Sequence, residues 1–235
     1  MLTVTQLKKR FGGLVALQGV DLHVPPRSIL GIIGMNGSGK TTLLNCINGI
    51  YRPDAGSIAL GGQDITGKPT HEVARLGIGR TFQVPRVFAH LSLLDNLDVA
   101  QQQTGRGADE RYAQSEYWLR KVELHRLRHN HAEELSGGQQ KLLELARIMA
   151  ARPRLVLLDE PFAGVNPSLA QLLIGVIREL PAEHDCAVVL VSHDLTSIYQ
   201  LSHHIIVMNE GAILSEGNAE HVRADPRVIE AYLGA

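Results

Sequence analysis

Cysteine and aromatic side chains are scarce in this chain, and neither sign of charge predominates. Its two cysteines, Cys46 and Cys186, stand in apolar segments with no partner at metal-ligand spacing. That excludes a disulfide framework and a thiolate metal site, and predicts two buried, reduced thiols. Aromatic residues make up 4% of the chain, too little to stack successive nucleic-acid bases, so the core must be aliphatic. A formal net charge of -1 removes any bulk attraction to DNA, RNA or an anionic membrane surface, and no nucleic-acid partner is expected. No apolar run approaches the roughly 20 residues of a membrane span, and the first residues lack the basic and apolar blocks of a signal peptide. A cytosolic chain is expected, one that reaches a membrane only through a protein partner.

What is present is an ordinary globular balance. The 235 residues are 44% hydrophobic and 20% charged, enough for one compact domain with an inserted lobe and too little for two catalytic domains. Loose alternation over 2–7 and 16–24, around Gly12-Gly13, predicts two antiparallel strands at a sheet edge. Residues 57–60 and 63–65, around Gly61-Gly62, predict another small hairpin. The aliphatic run 28–33 is of the buried-strand kind, and a helix follows over 40–50. Between 84 and 151 helix formers dominate and no strand pattern occurs; inside this region 101–109 is polar and contains glycine, which predicts a mobile loop. Strands at 155–158 and 187–191 then alternate with helices at 168–180 and 194–201, before a late hairpin at 205–208 and 212–215 and a final helix from Asp225-Pro226. The expected fold is α/β: a mostly parallel sheet, an antiparallel N-terminal part and an inserted α-helical lobe. Residues 1–84 and 152–235 form the core of a single domain, with 85–151 inserted.

Gly34-Met35-Asn36-Gly37-Ser38-Gly39-Lys40-Thr41 follows the first aliphatic run and opens a helix, the setting in which G-x-x-x-x-G-K-[ST] cradles phosphates. Its glycines let backbone N–H groups turn inward, the helix N-terminus adds positive potential, Lys40 reaches terminal phosphates and Thr41 can ligate magnesium. Leu155-Val156-Leu157-Leu158-Asp159-Glu160 is a buried strand ending in two carboxylates at the carboxyl edge of the sheet. Asp159 suits a magnesium shell; Glu160, pointing differently, suits polarising an attacking water. Leu135-Ser136-Gly137-Gly138-Gln139 opens a helix with Ser136 as N-cap. Two successive glycines are poor first-turn residues, but they offer bare N–H groups to a phosphate.

With these motifs in this order the chain resembles the ATP-binding cassette family, the nucleotide-binding subunits of ABC transporters, over essentially its whole length. The run Leu135 to Gln139 is similar to the family's signature, which implies that Ser136, Gly138 and Gln139 complete the ATP site of an opposing subunit. Gln83, after Arg80-Thr81-Phe82, resembles the Q-loop glutamine and His193, in Val191-Ser192-His193-Asp194, the switch histidine; Phe11 lies where the family stacks an aromatic on adenine. The resemblance implies ATP and Mg2+ as ligands. Phosphates would lie on Asn36, Gly37, Ser38, Gly39, Lys40, Thr41 and Thr42, magnesium on Thr41, Gln83 and Asp159, and catalysis on Glu160, His193 and Gln83. It also implies head-to-tail pairing with a second cassette, two membrane permease subunits, a solute-binding protein, and a peripheral place on the cytoplasmic face of the cell membrane.

One departure stands out: where the family carries an aspartate-ended loop, this chain reads Ala163-Gly164-Val165-Asn166-Pro167, so a contact across the dimer through Asn166 would carry no charge. A finer resemblance rests on Phe11-Gly12-Gly13-Leu14-Val15-Ala16-Leu17, Gly79-Arg80-Thr81-Phe82-Gln83 and the closing Ile229-Glu230-Ala231-Tyr232-Leu233-Gly234. These are similar to the importer branch serving branched-chain amino acids, with urea and amide relatives. Two other readings stand beside it. A soluble cassette ATPase without transport would carry coiled-coil arms or a second cassette, and a small-molecule phosphotransferase has no use for the run Ser136 to Gln139.

Overall fold

The structure is a computed structural model that describes residues 1–233; Gly234, in the closing run quoted above, lies outside the described residues. The first half of the chain contains β1 (Leu2–Phe11), β2 (Leu14–Val24), β3 (Ile29–Gly34), α1 (Lys40–Ile47), β4 (Ala55–Leu60), β5 (Gln63–Asp64), α2 (Thr70–Arg75) and β6 (Ile78–Arg80). Three helices follow with no intervening strand: α3 (Leu93–Gln101), α4 (Ala108–Lys121) and α5 (Gly137–Ala150). The remainder is β7 (Leu155–Asp159), α6 (Pro167–Glu183), β8 (Ala187–Val191), α7 (Leu195–Leu201), β9 (His204–Asn209), β10 (Ala212–Gly217), α8 (Ala219–Ala224) and α9 (Pro226–Leu233).

Two sheets result. The six-stranded one has the order β10-β9-β3-β8-β7-β6, parallel except for β10. Its central strands are fully buried and almost wholly aliphatic because a parallel sheet is covered on both faces. Ile29, Ile33, Val156, Leu158, Val188 and Leu190 face a core shared with α4, α5 and α6. Leu30, Ile32, Leu155, Leu157, Val189 and Val191 face α1 and the second sheet, as the two-residue period of a strand requires. That second sheet is antiparallel, in the order β2-β1-β4-β5.

The chain's one tryptophan, Trp118 on α4, is 1% exposed and its ring lies 4.6 Å from that of His184 at the end of α6. It therefore reports on the packing of the helical segment against the core. Leu143→Ala, which empties a fully buried site on α5, is expected to cost about 2–5 kcal/mol, measured by denaturant unfolding followed through Trp118 fluorescence.

Three details differ from the sequence expectation. Strand β1 runs through to Phe11, because register shifts after Val4 and Lys9 carry the pairing past the point where simple alternation fails. Strand β6 and the short helices α2 and α8 have too few residues to show a period. The stretch 101–109 is tied down: Gln101 is fully buried, and its amide donates to Leu97 O (3.2 Å), Arg111 O (3.1 Å) and Ser115 Oγ (2.9 Å). Arg106 in the same stretch donates to Ala150 O at the end of α5, 2.9 Å away. Both cysteines are free and buried as expected, and burial pushes their thiols up, to about 11 for Cys46 and about 12 for Cys186.

Candidate functional site

The loop between β3 and α1 is closed by contacts that only glycine allows. A Cβ on Gly34 would stand 2.2 Å from Met208 O, and one on Gly39 (φ 103°) would stand 2.7 Å from Ala16 O of β2. Gly37 (φ 82°) instead faces open space. Gly39 is also the N-cap of α1 and offers no side-chain acceptor to its first turn, so the first N–H groups of α1 point out of the helix as anion donors. Ser38 is buried beneath the loop, where its carbonyl accepts from Gly211 N at 3.0 Å in the β9–β10 turn. Asn36 and Thr41 are exposed and Thr42 is half-buried.

Lys40 is 9% exposed and curls back under the loop, donating to Gly34 O (2.7 Å), Met35 O (2.9 Å) and Ser38 Oγ (3.3 Å). Burial lowers its pKa, and the nearby charges of Glu160 and Asp159 oppose that shift. The ammonium is thus held at the mouth of the loop beside two carboxylates.

Those carboxylates end β7. Glu160 takes a left-handed backbone (φ 51°), which turns its side chain away from that of Asp159. Its Oε2 meets His193 Nδ1 at 2.7 Å and accepts from His193 N (3.3 Å) and Ser192 Oγ (3.4 Å), at the end of the neighbouring strand β8. Glu160 and His193, which each follow an aliphatic run in the sequence, are in direct contact because β7 and β8 are neighbours. The Glu160 side chain is 14% exposed and that of His193 72% exposed, so the pair opens to solvent on the histidine side.

Asp159 is buried, and burial raises its pKa against the opposing effect of Arg80. Arg80, at the end of β6, places Nη2 3.1 Å from Asp159 Oδ2 and Nη1 2.6 Å from Asn45 Oδ1 of α1. Neither Arg80 nor Asn45 belonged to the expected site. The signal in the sequence was a lone arginine closing the short apolar run before Gln83. Thr81 continues the strand, with its N–H on Leu157 O (2.9 Å) and its Oγ1 accepting from Asp159 N (3.2 Å), so Gln83 begins its exposed course two residues beyond the one bonded to Asp159.

The donors Thr41 Oγ1, Gln83 Oε1 and Asp159 are all hard oxygen atoms, the chemistry magnesium takes. Among the described residues no cluster of three or more His, Cys, Asp or Glu is arranged for a metal, so such an ion would rest on one carboxylate and neutral oxygens.

Ser136 is the N-cap of α5 in a capping box: Gln139 N donates to Ser136 Oγ (3.4 Å) and Ser136 N to Gln139 Oε1 (3.0 Å). Here the two glycines part company. Gly137 is open, whereas a Cβ on Gly138 would meet Leu169 Cδ1 at 3.0 Å, so Gly138 also serves packing against the start of α6. Asn166 caps α6, its Oδ1 accepting from Leu169 N (3.0 Å) and Ser168 Oγ (2.8 Å). Phe11 ends β1, is 41% exposed, and holds its ring edge-on to Tyr51 at 5.1 Å.

A groove of about 1220 Å³ runs between β6 and the helical segment. Arg75, Arg80, Arg106, Arg147, Arg152 and Arg154 line it, and no aspartate or glutamate does. Among the described residues no helix is long and apolar enough to cross a membrane.

Residues 17–163 match the family described as ABC transporter, and residues 212–235 match the one described as branched-chain amino acid ATP-binding cassette transporter. The chain is 41% identical over 249 residues to the high-affinity branched-chain amino acid transport ATP-binding protein BraF of Pseudomonas aeruginosa, covering 100% of this chain and 98% of that protein. Among solved structures, the ADP conformation of MJ1267, an ATP-binding cassette of an ABC transporter, is 33% identical with a TM-score of 0.89, covering 100% of this chain and 99% of that one. The dimeric post-hydrolysis state of the cassette MJ0796 bound to ADP and Pi is 25% identical with a TM-score of 0.84, covering 93% and 99%. On this fold and these matches, the chain belongs to the ABC transporter family as an ATP-binding cassette and ATPase.

Proposed function

We propose that this cassette energises uptake of branched-chain amino acids through separate permease subunits, hydrolysing ATP at sites completed by a second cassette. The observation that carries the hydrolytic part is the Glu160–His193 contact at the sheet edge, beside the Lys40 ammonium. Phosphates would lie on Asn36 to Thr42, against the first-turn N–H groups of α1 and Lys40, and adenine on the open face of Phe11. Thr41, Gln83 and Asp159 would hold magnesium, which when bound neutralises charge on the phosphate oxygens. Glu160 takes the proton of the attacking water. His193, oriented by its Nδ1 contact to Glu160, faces the terminal phosphate as a hydrogen-bond donor.

The N-terminus of α5, with Ser136, Gly138 and Gln139, would cap the nucleotide of the partner cassette. The dimeric relative supports such a pairing. The arginine-lined groove supports docking of a permease segment with acidic residues at its tip, which would hold the chain on the cytoplasmic face of the membrane. The matched C-terminal segment and the BraF likeness support branched-chain amino acids as cargo. Vesicles carrying the complex with its permeases, charged inside with ATP and outside with a solute-binding protein, are expected to accumulate leucine. Accumulation of urea in place of leucine would move the cargo to that relative branch, and phosphate release without any uptake would refute import.

A further inference from the structure

Helix α5 is buried along the whole run Lys141–Ala146, yet it carries two charges there. Each one grips backbone of this chain's own site. Lys141, 8% exposed, donates through Nζ to Glu160 O (2.8 Å) and Ala163 O (2.7 Å), in the loop that follows the Glu160 carboxylate. Glu144, 1% exposed, accepts from Phe82 N through Oε2 (3.3 Å) and from Arg86 N through Oε1 (2.9 Å), straddling Gln83. Both side chains line one small cavity together with Thr81 and Pro161, so the two grips converge on the space between β6 and β7.

The same helix is capped by Ser136, at its exposed N-terminal end. We infer that Lys141 and Glu144 are positioning residues that couple the two ATP sites of a cassette dimer: they fix α5 to the Gln83 loop and the Glu160 loop, so that seating Ser136 on the partner's nucleotide sets the geometry of this chain's own site. This rests on the reading that Ser136 acts in trans. The physical basis is the buried ionic hydrogen bond. A charge stripped of its partner in a dry interior is left uncompensated, so α5 and the two loops move as one body instead of parting. The pair differs from Lys40 in place: Lys40 donates within the loop it belongs to, whereas Lys141 and Glu144 reach from α5 to main-chain atoms of two other loops.

The test uses the full chain with Lys141→Met, Glu144→Gln and Lys141→Arg, each checked for a wild-type unfolding transition by Trp118 fluorescence. ATP hydrolysis is measured against ATP concentration, and affinity for a fluorescent ATP analogue is measured on the isolated chain. Lys141→Met and Glu144→Gln are expected to lower kcat at least about tenfold, with analogue affinity within about twofold, a split that marks loss of transition-state positioning. The Hill coefficient, which can reach about two for two coupled sites, should fall to one in both. Lys141→Arg, which keeps the charge, should recover most of the rate. Wild-type kcat and cooperativity in both neutral variants would overturn the coupling, as would failure of Lys141→Arg to recover activity. Ser136→Arg runs alongside: if it hydrolyses ATP normally, the trans reading has failed first; if it is inactive while the neutral variants are normal, the coupling alone has failed.

Discussion

Glu160→Gln lowers ATP hydrolysis by about 10²–10⁴-fold, the range that a positioned general base contributes, and leaves nucleotide binding intact. Glutamine matches the size of glutamate and accepts the left-handed backbone no worse, so the contacts that hold the loop survive: Lys141 grips the carbonyl of residue 160, and the N–H of residue 160 stays on Val191 O at 2.9 Å. What is lost is the capacity to take a proton. Binding without turnover should let the ATP-loaded dimer accumulate, seen as a doubled mass by light scattering in ATP and as a monomer in ADP. A purified variant that released phosphate at the wild-type rate would remove Glu160 from the role of base and shift attention to His193.

Ser136→Arg abolishes hydrolysis and leaves the isolated chain's affinity for ATP unchanged. Ser136 lies on the helical segment, outside the loop between β3 and α1, and its local hydrogen bonds only cap α5. An arginine there costs about 1 kcal/mol of cap stability, too little to unfold the domain. It would, however, obstruct the lip of a partner site. Mixing this variant with Glu160→Gln gives the sharpest readout where the chain pairs with itself. In the mixed dimer one site keeps Glu160 from one chain and Ser136 from the other, while the second site lacks both. Partial activity should return on mixing two inactive proteins, lowered about tenfold by the coupling inferred above, because the chain that keeps Glu160 cannot seat its own residue 136. Weakened ATP binding by the monomer, or no recovery at all on mixing, would contradict action in trans.

Much of the fold was legible because its strongest signals are local. The strands at Leu155–Asp159 and Ala187–Val191 are aliphatic runs that a doubly covered parallel sheet demands, and Gly34 to Thr41 carries its own context of strand before and helix after. The short strand Ile78–Arg80 was not legible, since three residues show no period and its pairing to β7 joins segments far apart in the chain. The most informative omissions are charged. Arg80, Lys141 and Glu144 are residue types expected on the surface, and only the tertiary packing reveals that each is buried on main-chain or side-chain partners. Gly138 shows the converse: its absent side chain looked like an invitation to a phosphate, and the structure adds a steric reason in Leu169. Gln101 was misplaced in a loose loop for a similar reason, because a polar side chain that satisfies itself inside looks in sequence like one facing water.

The missing side-chain cap at Gly39 has a consequence beyond recognition. A helix start without a side-chain acceptor is left to water in the solitary chain, and an anion that replaces that water acts as the last member of the structure. By mass action a ligand at roughly 100 times its Kd adds about 2.7 kcal/mol to stability, a sizeable share of what a domain of this kind possesses. Saturating ATP should therefore raise the chain's unfolding midpoint, read through Trp118 fluorescence with and without nucleotide.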